Sequence, residues 1–145
     1  MQGINRVVIP VDRSDISRIA VEHGAHLAEL LGVEVSIISI DDTHQFMASP
    51  LLEQKIRGQH EAILQGYKKM IEGKVIKVQT EIIVGSTPAD EIVKYAQEGD
   101  ILVMATRSKK GLNRCVLGSV SDEVLKRVDC PVMILKSKNP EEYFV

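Results

Sequence analysis

The residues best suited to chemistry form one stretch near the carboxyl end of the chain. Gly118-Ser119-Val120-Ser121 reads as the opening of a helix. The first N–H groups of a helix lack partners within it, and the helix dipole places partial positive charge there. A glycine at that point lets backbone approach an anion closely, and the hydroxyls of Ser119 and Ser121 add donors. Arg107, Lys109, Lys110 and Arg114 precede the turn and gather positive charge in a chain whose net charge is −2. Phosphate binding is the chemistry such a group performs. The same residues also suit a plainer account, in which Ser119 caps the helix and the basic segment is a solvated loop. The local pattern does not choose between the two.

A second group is the carboxylate Asp12, which closes the apolar run Arg6-Val7-Val8-Ile9-Pro10-Val11. A strand-end carboxylate can hold a ligand, or it can satisfy a loop or helix start. Other candidates are set aside. His23 and His26 are three apart on a helix with no third ligand at useful spacing. His44 and His60 are isolated. Ser119 lacks a Gly-x-Ser-x-Gly elbow, and the chain has neither Gly-x4-Gly-Lys-Ser/Thr nor Gly-x-Gly-x-x-Gly. Asp41-Asp42 reads as a solvated loop pair rather than a magnesium site. Cys115 and Cys130 read as lone reduced thiols with no redox role.

These groups need a scaffold, and the hydrophobic pattern supplies one. Strands are expected over residues 6–12, 33–40, 75–84, 101–106 and 131–135. Helices are expected between them. The first follows a cap at Ser14 or Asp15, carries Ile19, Ala20, His23, Leu27, Leu30 and Leu31 at helical spacing, and stops at Gly32. The second opens with Ser49-Pro50 and runs to about Glu72. The third opens with Thr87-Pro88 and stops at Gly99. The fourth starts at Gly118 and turns Val120, Val124, Leu125 and Val128 inward. Strand–helix alternation means a doubly wound α/β fold, three layers around a five-stranded parallel sheet. Its order is flavodoxin-like or the variant 3-2-1-4-5, the latter expected. Ligands in such sheets bind beyond the carboxyl ends of the strands at the switch point, where Asp12 would face the loop of residues 107–117.

At 145 residues the chain suits a single domain, 1–145. Hydrophobic residues are 44% and aromatics only 3%, with no Trp, so the core is aliphatic and platforms for stacking on exposed bases are lacking. The mild negative charge gives no global attraction to nucleic acid or anionic membrane. No apolar run is long enough to span a bilayer, and no signal peptide is evident, which makes the cytoplasm the expected compartment.

Taken together, the motifs resemble the universal stress protein (UspA-like) family, with its adenine-nucleotide alpha hydrolase-like fold, over nearly the whole chain. The carriers are Val7-Val8-Ile9-Pro10-Val11-Asp12 with Ser14, Gly85-Ser86-Thr87-Pro88 with Ile92, Asp100-Ile101-Leu102-Val103-Met104, and Gly118-Ser119-Val120-Ser121 with Cys130-Pro131-Val132. Nucleotide-binding members carry Gly, two residues, Gly, nine residues, then Gly followed by Ser or Thr. The spacing is kept here, but Ala105 and Ser108 replace the first two glycines.

The resemblance implies a regulatory module that binds ATP or AMP, with magnesium as an accompanying ion, and at most slow hydrolysis. By the same resemblance, Pro10, Val11 and Asp12 would lie at the nucleoside, with Asp12 on the ribose hydroxyls and the Ile40 backbone on adenine. Ala105, Arg107, Ser108, Lys109 and Lys110, with Gly118, Ser119, Val120 and Ser121, would pass the ribose and surround the phosphates. A homodimer through the last strand, Val132 to Leu135, is implied as well. The alternative is a stress or scaffold dimer whose altered glycines mark a degenerate site. A nucleotide-cleaving enzyme on this fold ranks last.

Overall fold

Short runs of Val and Ile, punctuated by Gly, Pro and Ser/Thr caps, become strands and helices in strict alternation. The computed structural model describes residues 3–46, 49–107 and 118–137. In chain order the elements are β1 (Arg6–Val11), α1 (Ser17–Leu31), β2 (Glu34–Asp41), α2 (Pro50–Ile71), β3 (Val78–Val84), α3 (Pro88–Tyr95), β4 (Asp100–Arg107), α4 (Ser119–Arg127) and β5 (Val132–Ser137), with one 3₁₀ turn at His44–Phe46. The five strands form a parallel sheet in the order β3-β2-β1-β4-β5. This is the expected architecture and strand order.

Two apolar clusters, one on each face, hold the layers together. On one face Val7, Ile9 and Val11 of β1, Val35 and Ile37 of β2 and Val103 of β4 meet Ala20, Val21, Ala25 and Ala28 of α1 and Leu64 and Ile71 of α2. On the other, Val8, Ile38, Leu102 and Met104 meet Ile92 of α3 and Val124 of α4. Each fully buried Ile or Leu contributes about 1.5–3 kcal/mol.

The caps follow the sequence signals with one exception. Ser49 accepts the Leu52 N–H and Thr87 accepts the Asp90 N–H, each followed by Pro, and Gly32 closes α1 in the left-handed conformation. Neither Ser14 nor Asp15 caps α1, which starts instead at Ser17 behind Ile16. The reason is local: Asp12 Oδ1 draws in both the backbone N–H and the hydroxyl of Ser14, so a turn replaces the first helical residues.

Three further boundaries and faces differ. β3 begins at Val78 rather than Val75, and α3 ends at Tyr95, four residues before Gly99. The buried face of α1 is Ile19, Ala20, Val21, Gly24, Ala25 and Ala28, while Leu30 and Leu31 are exposed. On α4, Leu125 is 47% exposed and Ser121 takes an inward position beside Val124.

The sheet opens where the site was expected. β1 runs in register with β2 as far as Val11 and Ser39. Its register with β4 extends only from Arg6–Asp100 to Val8–Leu102. Beyond that point the two strands part. β1 leads into α1, which packs on one face, and α4 after β4 covers the other. A crevice at this switch point is the geometric consequence.

Candidate functional site

A cavity of about 380 Å³ fills this crevice. It is lined by Pro10, Val11 and Asp12 from β1 and the turn after it, Ile40 from β2, Ala105 and Arg107 from β4, and Gly118, Ser119, Val120 and Ser121 from the start of α4. These are the candidate residues named from sequence, brought together from four separate segments. The remaining candidates, Ser108, Lys109 and Lys110, lie outside the described residues, as do Arg114 and Cys115.

Three zones make up the crevice. The first is apolar: Ile40, Pro88, Ile92 and Met104 converge there, with Val120 at the α4 side. Pro88, Ile92 and Met104 were read from sequence as motif positions and not as residues of the site. Ile92 carries a signal in retrospect, one helical turn after Pro88. Met104 and Thr106 carry another, since strand alternation sends their side chains to the same face. Ala105 points the other way, and its methyl packs into the cluster beneath α1. The alanine in place of the first signature glycine therefore puts no side chain into the apolar slot. It lies in regular extended strand, and no described residue other than glycine has a positive φ.

The second zone is Asp12. Its Oδ1 accepts the Ser14 N–H at 2.8 Å, the Ser14 hydroxyl at 2.6 Å and the Ser17 hydroxyl at 3.0 Å. Ser17 Oγ in turn accepts the Asp12 N–H at 3.0 Å. One carboxylate oxygen is thus locked, while Oδ2 has no hydrogen-bond partner among the described residues. On the far side of Asp12, burial pushes the Tyr67 phenol above its ordinary value, and the negative charge of Asp12 adds to the rise.

The third zone is the start of α4. The Gly118 N–H donates to Thr106 Oγ1 at 3.0 Å, which ties the helix to the end of β4. Gly118 has an extended backbone that any residue adopts, so its value lies in space: a Cβ there would stand 3.1 Å from Thr106 Oγ1. The Asp122 N–H bonds the Gly118 carbonyl at 2.9 Å, and the N–H groups of Ser119, Val120 and Ser121 precede it. Ser121 lines the cavity and is 5% exposed, and its hydroxyl has no hydrogen-bond partner among the described residues. Arg107, at the lip, is ion-paired with Asp15 of the β1–α1 turn.

Several residues set aside from sequence behave as follows. His23 and His26 are exposed on α1. Asp41 is not a solvated loop residue: it is buried, and its Oδ1 accepts the N–H and hydroxyl of Thr43. His60 is not isolated, since its Nδ1 shares a 2.6 Å hydrogen bond with the buried hydroxyl of Ser39. Burial pushes the Cys130 thiol up, which lowers its reactivity. Among the described residues no three His, Cys, Asp or Glu side chains converge as a metal site, and no helix is long and apolar enough to cross a membrane.

An apolar slot, a half-satisfied carboxylate and a helix start with free donors suit a ligand with an apolar ring, hydroxyls and an anionic group. A sequence profile of the universal stress protein family matches residues 3–136. A universal stress protein of Methanocaldococcus jannaschii, MJ0531, is 35% identical over 144 residues, covering 94% of this chain and 84% of that protein. The solved structure of MJ0577, a universal stress protein from the same organism, superposes with a TM-score of 0.77 at 30% identity, covering 93% of this chain and 97% of that one. A universal stress protein of Archaeoglobus fulgidus in complex with dAMP superposes with a TM-score of 0.69 at 23% identity, covering 94% of this chain and 100% of that one, and so shares the fold. The chain belongs to the universal stress protein family.

Proposed function

We propose that the crevice binds an adenine nucleotide, ATP or AMP, and that the protein is a regulatory binding module. The observation that carries this reading is the juxtaposition of three zones in one cavity of about 380 Å³. Adenine fits the slot of Ile40, Ile92 and Met104. The ribose hydroxyls meet the free Oδ2 of Asp12. The phosphates meet the N–H groups and hydroxyls at Gly118–Ser121, with Arg107 at the lip. The A. fulgidus relative in complex with dAMP supports the choice of adenine. The inward turn of the Ala105 methyl removes one objection to binding. Magnesium would arrive on the phosphates, since no cluster of metal-binding side chains is found among the described residues. With His60 engaged by Ser39 and no other base aimed at a terminal phosphate among the described residues, the reading is binding rather than turnover.

Isothermal titration with AMP and ATP, with and without magnesium, tests the proposal. Saturable binding at micromolar to millimolar ligand is expected; no heat and no thermal shift at millimolar ligand would sink it.

A second feature supports self-association in the stress or scaffold role. Among the described residues β5 is an edge strand, and its Val132–Leu135 segment is apolar and unpaired on one side. We propose that two copies meet there. Light scattering at micromolar concentration should give the mass of a dimer, and a monomer would refute it. The cytoplasm remains the proposed compartment.

A further inference from the structure

A second cavity, of about 440 Å³, adjoins the crevice. Asp12, Ser14, Ile40 and Pro88 line both. On the proposed nucleotide reading, the shared residues are those at the ribose and one edge of adenine, while the phosphates lie at the other end of the crevice. A group on the ribose hydroxyls, held beside Asp12 and Ser14, has a path into the second cavity, since both residues line the two.

The chemistry of that cavity is mixed and not suited to an anion. Ile56 and Ile63 of α2 give it apolar walls opposite Ile40 and Pro88. Its floor is the Ser39 Oγ and His60 Nδ1 pair, 2.6 Å apart, with Ser39 almost wholly buried. Its charged groups are the carboxylates of Asp12 and Asp42 against the guanidinium of Arg13, which also donates to Gln59 Oε1 at 3.4 Å. A further phosphate would meet two carboxylates and one cation. An uncharged ring or acyl group would meet isoleucines and a hydrogen-bonding floor.

We propose that this cavity is a subsite for an uncharged, ring-sized substituent on the ribose hydroxyls, so that the protein selects ribose-substituted adenine nucleotides over the plain mononucleotide. The preference rests on the nucleotide reading and deepens it.

The test uses AMP carrying an N-methylanthraniloyl group on its ribose, compared with AMP itself, by titration and by fluorophore emission. The substituted nucleotide should bind about tenfold tighter, with emission rising as the ring leaves water. Gln59→Trp, which fills the cavity from α2, should remove that gain and leave AMP affinity unchanged. Ile56→Trp, filling from one turn earlier, is the second variant, and a circular dichroism spectrum matching the parent confirms that each folds. Equal or weaker binding of the substituted nucleotide overturns the subsite while AMP binding keeps the nucleotide reading. A gain that survives both filling variants also overturns it. Absence of binding by either ligand removes the nucleotide reading and the subsite with it.

Discussion

Arg6 grips Asp100 with two hydrogen bonds, Nε to Oδ1 at 2.9 Å and Nη2 to Oδ2 at 2.7 Å, at the opposite end of β1 and β4 from the crevice. The pair is largely dry, with side chains 16% and 4% exposed. Asp100 Oδ2 also accepts the Gln97 N–H, and Arg6 Nη1 donates to Tyr95, whose hydroxyl bonds Ser36. The two strands are thus pinned at one end and free to part at the other. Removing one partner of a buried pair leaves an uncompensated charge, which costs far more than the pair contributes. Arg6→Leu should therefore lower stability by about 3 kcal/mol, read as a fall in Tm of roughly 10 °C. A change within 1 °C would show that Asp100 finds water instead.

Asp12 has two roles that one substitution can separate. Oδ1 organises the turn into α1 through Ser14 and Ser17, while Oδ2 has no hydrogen-bond partner among the described residues and the residue lines the crevice. Asp12→Asn keeps an oxygen for the turn and removes the charge from the ligand side. Stability should change by less than about 1 kcal/mol, while AMP affinity falls about tenfold or more, as for a lost charge-assisted hydrogen bond. Unchanged affinity by calorimetry would place the ribose elsewhere.

Much of the scaffold was readable because its signals are local. Ser49-Pro50, Thr87-Pro88 and Gly32 mark helix ends by their own backbone chemistry, and β-branched runs mark the strands. Asp12 and Gly118 were readable because both follow from strand ends and helix starts in a doubly wound sheet. What escaped depends on contacts across the fold. Hydrophobicity points to Leu30 and Leu31 as the inner face of α1. The helix instead lies close on the sheet through Gly24, where a Cβ would stand 2.5 Å from Ile9 Cδ1, and through Ala25 and Ala28. The Ser39–His60 bond joins residues 21 apart on different elements, and no spacing rule reveals it. The bond from Gly118 to Thr106 joins residues 12 apart on different elements. The direction of the Ala105 methyl was deducible from strand alternation, because Met104 and Thr106 must share the opposite face.

Asp90 in the first turn of α3 accepts a 2.6 Å hydrogen bond from Arg127 of α4, and the two helices cover the crevice side of the sheet. That bond, with a second from Thr87, holds the Asp90 carboxyl below its ordinary value. A carboxyl whose value is lowered by folding stabilises the fold above its unfolded value, and the contribution is lost as pH falls through the folded one. The difference in urea midpoint between the parent and Asp90→Asn should hold steady from pH 8 to 5 and shrink below about pH 4. A gap that persists at pH 3 would assign the stabilisation to the helix cap rather than to the charge.

Arg107 and Asp15 set the charge at the mouth of the crevice. Arg107 lines the cavity, and its ion pair with Asp15 bridges the end of β4 to the turn after β1. A phosphate reaching Arg107 must compete with Asp15 and then lie beside its carboxylate. Both side chains are about half exposed, so the pair itself is worth at most about 1 kcal/mol. Asp15→Asn should raise AMP affinity by about threefold. The gain should be larger for ATP, whose longer chain carries more charge past the same point. Because the interaction is at the surface, the gain should fade as salt is raised towards about 1 M. Titration of both nucleotides at low and high salt checks this. If Asp15→Asn leaves both affinities unchanged at low salt, the phosphates do not approach Arg107, and their contacts lie with the start of α4 alone.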